Sequence, residues 1–137
     1  MKRIIGLLFI AFPLCIIACS KGPSPTENDN QEKPSEYYVK YASDGLDGNG
    51  IYQYNVSYTD EKGEQKSFSN MTSDSFERII GPVSVGFEAS FRIWVANTND
   101  TRTRAARIEV KKDDAPFAVK AENTGSRGGV SVTYTIK

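Results

Sequence analysis

The chain has 137 residues, with 17 basic side chains, 17 acidic side chains, no histidine and two cysteines. This length is the size of one domain with one core, and the balanced charge argues against a nucleic-acid partner, which needs a concentrated basic face. The absence of histidine removes the commonest metal ligand and the commonest general base at neutral pH.

The N-terminus combines two basic residues with an apolar run over residues 4–17. This run is shorter than the roughly 20 residues of a membrane-spanning helix, so it predicts a signal peptide over residues 1–18. Two isoleucines, Ala18 and Cys19 close the run. Aliphatic, aliphatic, small and then cysteine is the order of the bacterial lipobox, and the match resembles the signals of bacterial envelope lipoproteins.

This resemblance implies that Cys19 receives fatty acyl chains such as palmitate and becomes the mature N-terminus, anchored in a membrane. A plain signal peptide with a chance cysteine, or an uncleaved anchor, is the alternative. Cys15 leaves with the signal, so the folded part would hold no thiol, no disulfide and no cysteine-based metal site. We therefore expect no cofactor and no metal.

Residues 19–36 are predicted to be the lipidated cysteine and a flexible tether, because polar residues and prolines there cannot bury enough surface to order the chain. In Gram-negative lipoproteins an aspartate directly after the lipidated cysteine signals inner-membrane retention. By this resemblance Ser20 implies an outer-membrane location in the cell envelope. Whether the domain faces the periplasm or the cell surface stays open.

Apolar residues alternate with polar ones over most of residues 37–137, which is the spacing of half-buried strands. No segment shows a convincing helical repeat. The alternating segments are residues 37–41, 52–58, 87–95, 106–110, 117–121 and 130–136, and two shorter strand candidates are residues 65–69 and 76–80.

Turn residues separate these segments, among them a glycine-rich stretch over residues 43–50 and Gly81-Pro82, which is predicted to end a strand. Seven to eight short strands at such spacing predict an all-β fold, an immunoglobulin-like Greek-key β-sandwich. An up-and-down barrel is the competing architecture.

The order of the segments carries a further resemblance. Its residues are Tyr38-Val39-Lys40-Tyr41, the stretch 51–60, the stretch 80–90, Arg107-Ile108-Glu109-Val110 and the last segment, 130–136. They resemble small Bacteroidota envelope lipoproteins with an immunoglobulin-like sandwich and, more distantly, the periplasmic domain of MmpS-type transport accessory proteins. This implies an accessory role without catalytic residues. The chain departs from the MmpS-type pattern in having a lipobox in place of an N-terminal membrane helix.

Trp94 is the main candidate for ligand binding. Strict alternation places it with Glu88, Ser90 and Arg92 on the polar face of a long strand. A flat aromatic side chain beside hydrogen-bonding groups is typical of glycan- or peptide-binding surfaces. A covering loop or a bulge that shifts the register would instead make Trp94 structural.

Two acidic groups are interpreted as turns. Asp44, Asp47 and Asn49 superficially resemble a calcium loop, but the ligand spacing of an EF-hand fails here. Asp113-Asp114 precedes Ala115-Pro116 and is typical of a turn. The basic cluster of Arg102, Arg104 and Arg107 could grip an anion, although a solvated strand face is the more common explanation.

No nucleophile elbow or phosphate-binding loop is present, so we do not expect an enzyme. The sequence predicts a lipid-anchored accessory or structural domain that docks on another envelope protein through a sheet face or edge. A surface module that binds glycans or peptides through Trp94 is the alternative. A small hydrolase inhibitor is a third possibility without a positive sign in the sequence.

Overall fold

The computed structural model describes residues 33–44, 53–95, 101–126 and 128–137. The predicted signal peptide, Cys19 and most of the predicted tether lie outside these residues. Residues Lys33–Lys137 form one compact unit. Its strands are β1 (Tyr37–Asp44), β2 (Tyr54–Thr59), β3 (Gln65–Met71), β4 (Phe76–Val83), β5 (Glu88–Val95), β6 (Arg104–Lys112), β7 (Ala118–Gly125) and β8 (Gly129–Thr135).

The strands form two antiparallel sheets of four strands each. Sheet A has the order β4-β1-β6-β7, and sheet B has the order β3-β2-β5-β8. Because β1 pairs with β4 while β2 pairs with β5, the two sheets interlock as strands B, E, C and F do in the immunoglobulin fold. The predicted all-β sandwich is confirmed. Because the strands form two separate sheets, the fold is not the alternative up-and-down barrel.

The core lies between the sheets and is built by the alternation that the sequence predicts. Side chains at every second position of β1, β2, β5, β6 and β8 point inward, and the polar positions between them point outward. The most deeply buried members are Val39, Tyr41, Tyr54, Val56, Phe91, Ile93 and Ile108. Since the core cluster runs from Val39 to Ile136, the unit contains its own core and has a size at which domains fold alone.

Tyr41 joins the two sheets inside this core. Its ring packs against Tyr58 at 5.3 Å and Phe91 at 5.6 Å between centroids. Its hydroxyl donates a 2.8 Å hydrogen bond to the backbone oxygen of Thr59. Burial raises the pKa of this hydroxyl well above its ordinary value, and the nearby Tyr58 and Asp60 raise it further. The side chain is therefore a neutral hydrogen-bond donor at any physiological pH.

The prediction that Gly81-Pro82 ends a strand was wrong, because β4 continues to Val83. The β1–β4 register shifts between Tyr37 and Val39, so the ladder bulges at this point instead of ending. Gly81 has a φ of +130°, and a Cβ there would lie 2.8 Å from the Tyr37 backbone oxygen. Pro82 is tolerated because it lies at this bulge on an edge strand, where proline is accommodated in sheets.

Strand β7 also differs from the predicted pattern, which placed residues 117, 119 and 121 on one apolar face. A register shift opposite Ile108 and Glu109 pairs Ala121 with Ile108 but Val119 with Glu109. Ala121 consequently packs against the core, whereas Val119 faces outward and is 54% exposed. A bulge inserts one extra residue, which reverses the facing of every residue beyond it.

Candidate binding surfaces

The four residues predicted to form a ligand site all lie on β5, in the middle of sheet B, and face away from the core. Arg92 and Glu88 are exposed, and Ser90 and Trp94 are half-buried. The facing predicted from alternation is therefore correct. Their neighbours on this outer face are small hydroxyl side chains, namely Ser57, Ser67, Ser131, Thr133 and Thr135.

Trp94 is paired with Asn55 on one side and Gly129 on the other. A Cβ at Gly129 would lie 3.0 Å from the Cβ of Trp94 and 2.6 Å from the Ile93 backbone oxygen, so only glycine fits beside the indole. The guanidinium carbon of Arg92 stands 5.1 Å from the Trp94 ring centroid, a cation–π contact. The indole is thus a half-buried, partly covered ring on a flat sheet face.

The structure does not bring the four predicted residues into one site. Glu88 and Trp94 are six residues apart on an extended strand, roughly 20 Å. Glu88 and Ser90 line a depression of about 550 Å³ whose other walls include Thr59, Thr133 and Thr135. Arg92 lines a separate depression of about 270 Å³ beside Gly129 and Ser131. The depression beside Arg92 is polar, whereas the one beside Glu88 mixes hydroxyl groups with Phe87, Ala89 and Tyr134.

The outer face of sheet A is different in chemistry, because charged side chains and aromatic rings interleave there. Lys40 pairs with Glu109 at 2.6 Å, and its ammonium nitrogen lies 5.1 Å from the centroid of Phe117. The ammonium nitrogen of Lys111 lies 4.7 Å from the centroid of Tyr38. On this face Lys40 is therefore paired with a carboxylate, and Lys111 lies against an aromatic ring.

The predicted arginine cluster does not converge on one point. Arg104 is buried, with 2% exposure, and donates to the Arg102 backbone oxygen at 3.3 Å. Arg107 lies on the outer face of sheet A, bonded to Asp44 and 3.9 Å from Glu109 and Glu122. The hydrogen bond to Asp44 raises the pKa of Arg107 above its ordinary value. Because carboxylates already surround Arg107, we interpret it as part of a solvated strand face and not as an anion-binding residue.

Of the two acidic groups interpreted as turns, Asp113-Asp114 lies in a turn, but Asp44 is the last residue of strand β1, so the turn prediction was wrong for Asp44. Asp44 bonds Arg107, while Asp47 and Asn49 lie outside the described residues. Asp113 has a φ of +51° and makes a reciprocal pair with Glu36. Its N–H donates to the Glu36 backbone oxygen at 2.7 Å, and its Oδ1 accepts the Glu36 N–H at 2.8 Å. Within the described part of the chain, no group of three metal-ligating side chains occurs.

Sequence reasoning missed one feature, the open side of the sandwich where the edge strands β3 and β4 lie. Every residue of Gln65–Asn70 is exposed, and Phe68, although aromatic, is 45% exposed. Its ring stacks on Tyr58 at 6.0 Å between centroids with an interplanar angle of 11°. The sequence predicts only a short strand over residues 65–69, and the strand order shows that this strand is an edge.

The turn that leads into β3 is held by Asp60, a side chain with only 6% exposure. Its Oδ1 accepts the N–H groups of Lys62 at 3.0 Å and Glu64 at 2.8 Å. Its Oδ2 lies 3.2 Å from Lys66, which also bonds Glu64 at 2.8 Å. Burial alone would raise the pKa of Asp60, but the bonds from Glu64, Lys66 and Lys62 outweigh it and hold the pKa below its ordinary value.

Comparison with known proteins does not assign the chain to a family. No family model matches the chain, and no curated protein shows significant sequence similarity to it. Among the described residues, no helix is long and apolar enough to cross a membrane.

Proposed function

We propose that the protein is a lipid-anchored, non-catalytic lipoprotein of the bacterial cell envelope whose sandwich is an accessory protein-binding domain. The anchor is supported by the lipobox that ends at Cys19, and an outer-membrane location by Ser20. The resemblance to Bacteroidota envelope lipoproteins supports the same role. Protein binding is supported by one structural observation above all, the bare edge of β3.

Strand β3 offers main-chain groups to a further strand. Asp60 N–H donates to the Glu64 oxygen, so antiparallel alternation makes Lys66 the next residue bonded to β2. The intervening residues, Gln65 and Ser67, then direct their N–H and C=O groups toward the free edge. A partner that contributes an extended segment can pair with these groups, which is the mode of recognition called β-augmentation.

Side chains on β3 complement this edge. Phe68 gives an apolar anchor, and aromatic side chains of this kind carry much of the binding energy at interfaces. Natural edge strands often carry a lysine that discourages pairing. Here the charge of Lys66 is matched by Asp60 and Glu64, so it opposes an incoming strand less. The partner that fits is an extended, uncharged segment of another envelope protein with an apolar side chain opposite Phe68.

Site-specific photocrosslinking in intact cells tests this proposal. A photoreactive amino acid at Ser69 should capture a discrete partner, whereas the same group at Val85, which is 64% exposed in the β4–β5 turn, should not. Ser67→Pro removes one free-edge N–H and no bond to β2, so it should abolish capture. Ser67→Ala is the matched control and should retain it.

The affinity of the purified protein for the captured partner should depend on β3 in the same way. We expect Ser67→Pro and Phe68→Ser each to weaken affinity at least tenfold, with thermal melting unchanged for Ser67→Ala. Equal capture at Ser69 and Val85, or full affinity in Ser67→Pro, would refute docking at this edge.

Acylation is tested separately by metabolic labelling with an alkyne-tagged fatty acid. The full-length chain should be labelled, and Cys19→Ser should not be. An unlabelled wild-type chain with an N-terminus other than Cys19 would remove the proposed anchor and leave the docking proposal to be judged on its own test.

A glycan- or peptide-binding role for Trp94 is the second candidate. The observation in its favour is the half-buried indole beside the depression that Arg92, Gly129 and Ser131 line. Binding on a glycan array that quenches Trp94 fluorescence and disappears in Trp94→Ala would support it. Hits that bind Trp94→Ala unchanged would exclude it.

A further inference from the structure

Strands β7 and β8 form the other open side of the sandwich, and the space between them is shaped like a wedge. At one end the strands approach closely, since a Cβ on Gly125 would lie 2.7 Å from the Gly129 backbone oxygen. At the other end they separate and leave a cavity of about 430 Å³, which is within the range of ligand pockets.

The floor and walls of this cavity are largely apolar. Ile136 and Val110 are buried at its base, and Tyr37 and Tyr134 are half-buried beside them. The β6–β7 turn supplies Ala115 and Pro116 as the outer wall. The reciprocal hydrogen bonds between Glu36 and Asp113 hold this turn in place.

Three lysines, Lys112, Lys120 and Lys137, line the same cavity, and no acidic side chain does. These lysines take part in no ion pair with the described residues, whereas Lys33, Lys40 and Lys66 all pair with carboxylates. The ammonium nitrogen of Lys112 lies 5.9 Å from the Tyr37 centroid, at the boundary between the charged and the apolar lining. Unmatched positive charge beside an apolar floor is complementary to a molecule with an anionic head and an apolar body.

We infer that this cavity binds a single-chain anionic amphiphile, with its carboxylate or phosphate between Lys112 and Lys120 and its aliphatic chain against Tyr134 and Ile136. The site opens beside Glu36, where the chain enters the domain from its N-terminal segment. The cavity is separate from the β3 edge, so the failure of one proposal would not affect the other.

Binding to the folded unit, residues 33–137, is measured by titration while backbone amide shifts are followed by NMR. The probe is decanoate below its micellar concentration. Saturable shifts should concentrate at Ala118, Lys120 and Ile136. Decyl maltoside has a similar chain on a neutral head, and acetate has the head without the chain, so each should bind at least tenfold more weakly.

Matched variants test the lysines. Lys112→Gln combined with Lys120→Gln should weaken decanoate binding at least tenfold, whereas Lys62→Gln, in the exposed β2–β3 turn, should leave it unchanged. Ala118→Phe should fill the cavity and weaken binding while Lys112 and Lys120 remain. Equal affinity for decanoate and decyl maltoside, or undiminished affinity in the double variant, would overturn the proposal.

A second arm distinguishes a free amphiphile from a lipid head group. The full-length chain is placed in phosphatidylcholine vesicles with or without phosphatidylglycerol, and protection of Lys112 and Lys120 from amine labelling is compared. Protection that requires phosphatidylglycerol identifies the bilayer as the source, and protection by added decanoate alone identifies a free ligand. Absence of protection in every condition would contradict the site.

Discussion

The two open sides of the sandwich are closed by different means. On the β7–β8 side the two strands approach closely at one end, because a Cβ on Gly125 would lie only 2.7 Å from the Gly129 backbone oxygen. On the β3–β4 side, aromatic rings fill the gap, with Phe76 lying 5.6 Å from Phe91 and 6.2 Å from Tyr58. The close approach of the strands is confined to one end of the β7–β8 side, whereas closure by rings on the opposite side leaves Phe68 exposed at the rim.

This difference suggests a division of roles along the molecule. The close approach of Gly125 to Gly129 lies at the narrow end of the wedge that opens toward the lysine-lined cavity. The ring cluster stabilises the opposite side yet keeps an edge strand free for a partner. Substitution of Gly129 should therefore reduce stability, whereas Ser67→Pro on the free edge of β3 should reduce partner binding.

The largest effect is expected for Gly129→Val. A Cβ at this position would lie 2.6 Å from the Ile93 oxygen, at a φ of +152° that side chains rarely adopt. We expect a loss of about 3 kcal/mol or more in the free energy of unfolding, measured by urea denaturation. Gly63→Ala is the control on the other side, because its φ is +82° but nothing lies within 4 Å. It should cost only about 1 kcal/mol, and equal losses would show that the close approach of β8 to β5 at Gly129 is not needed for stability.

Tyr41→Phe should have an intermediate effect. It removes the buried bond to the Thr59 oxygen while keeping the ring packing, and one such hydrogen bond with its unpaired acceptor is worth about 1–2 kcal/mol. Tyr58→Phe is the matched control, since that ring is equally central to the cluster. A smaller loss in Tyr41→Phe than in Tyr58→Phe would show that the bond between the sheets is not stabilising.

Much of the fold could be predicted from the sequence because alternation is a local signal. The inward positions of β1, β2, β5, β6 and β8 followed from it directly. The bulges at Gly81 and opposite Ile108 could not be predicted, since a bulge depends on which strand lies alongside. For the same reason the pattern placed Val119 on the wrong face and gave no sign that β3 is an edge.

The candidate sites were less predictable than the fold. The outward facing of Trp94 followed from alternation, but the distance along the strand separates it from Glu88. The lysine-lined cavity draws Lys112 and Lys120 from two strands and Lys137 from beyond a third. Such a site exists only after the chain crosses between the sheets, so no spacing in the sequence reveals it.

The smallest effect concerns Asp60, whose buried carboxylate fastens the turn before the free edge of β3. Because its pKa is lowered on folding, the protein gains stability from it above the ordinary pKa of 3.8 and loses that stability as the pH falls through the folded-state value. Thermal melting of wild type and Asp60→Asn should therefore converge as the pH is lowered from 6 toward 3. A difference in melting temperature that stays constant over this range would show that the hydrogen bonds of the turn do not lower the pKa of Asp60. A converging difference would mean that acid weakens the β3 side of the sandwich through protonation of Asp60.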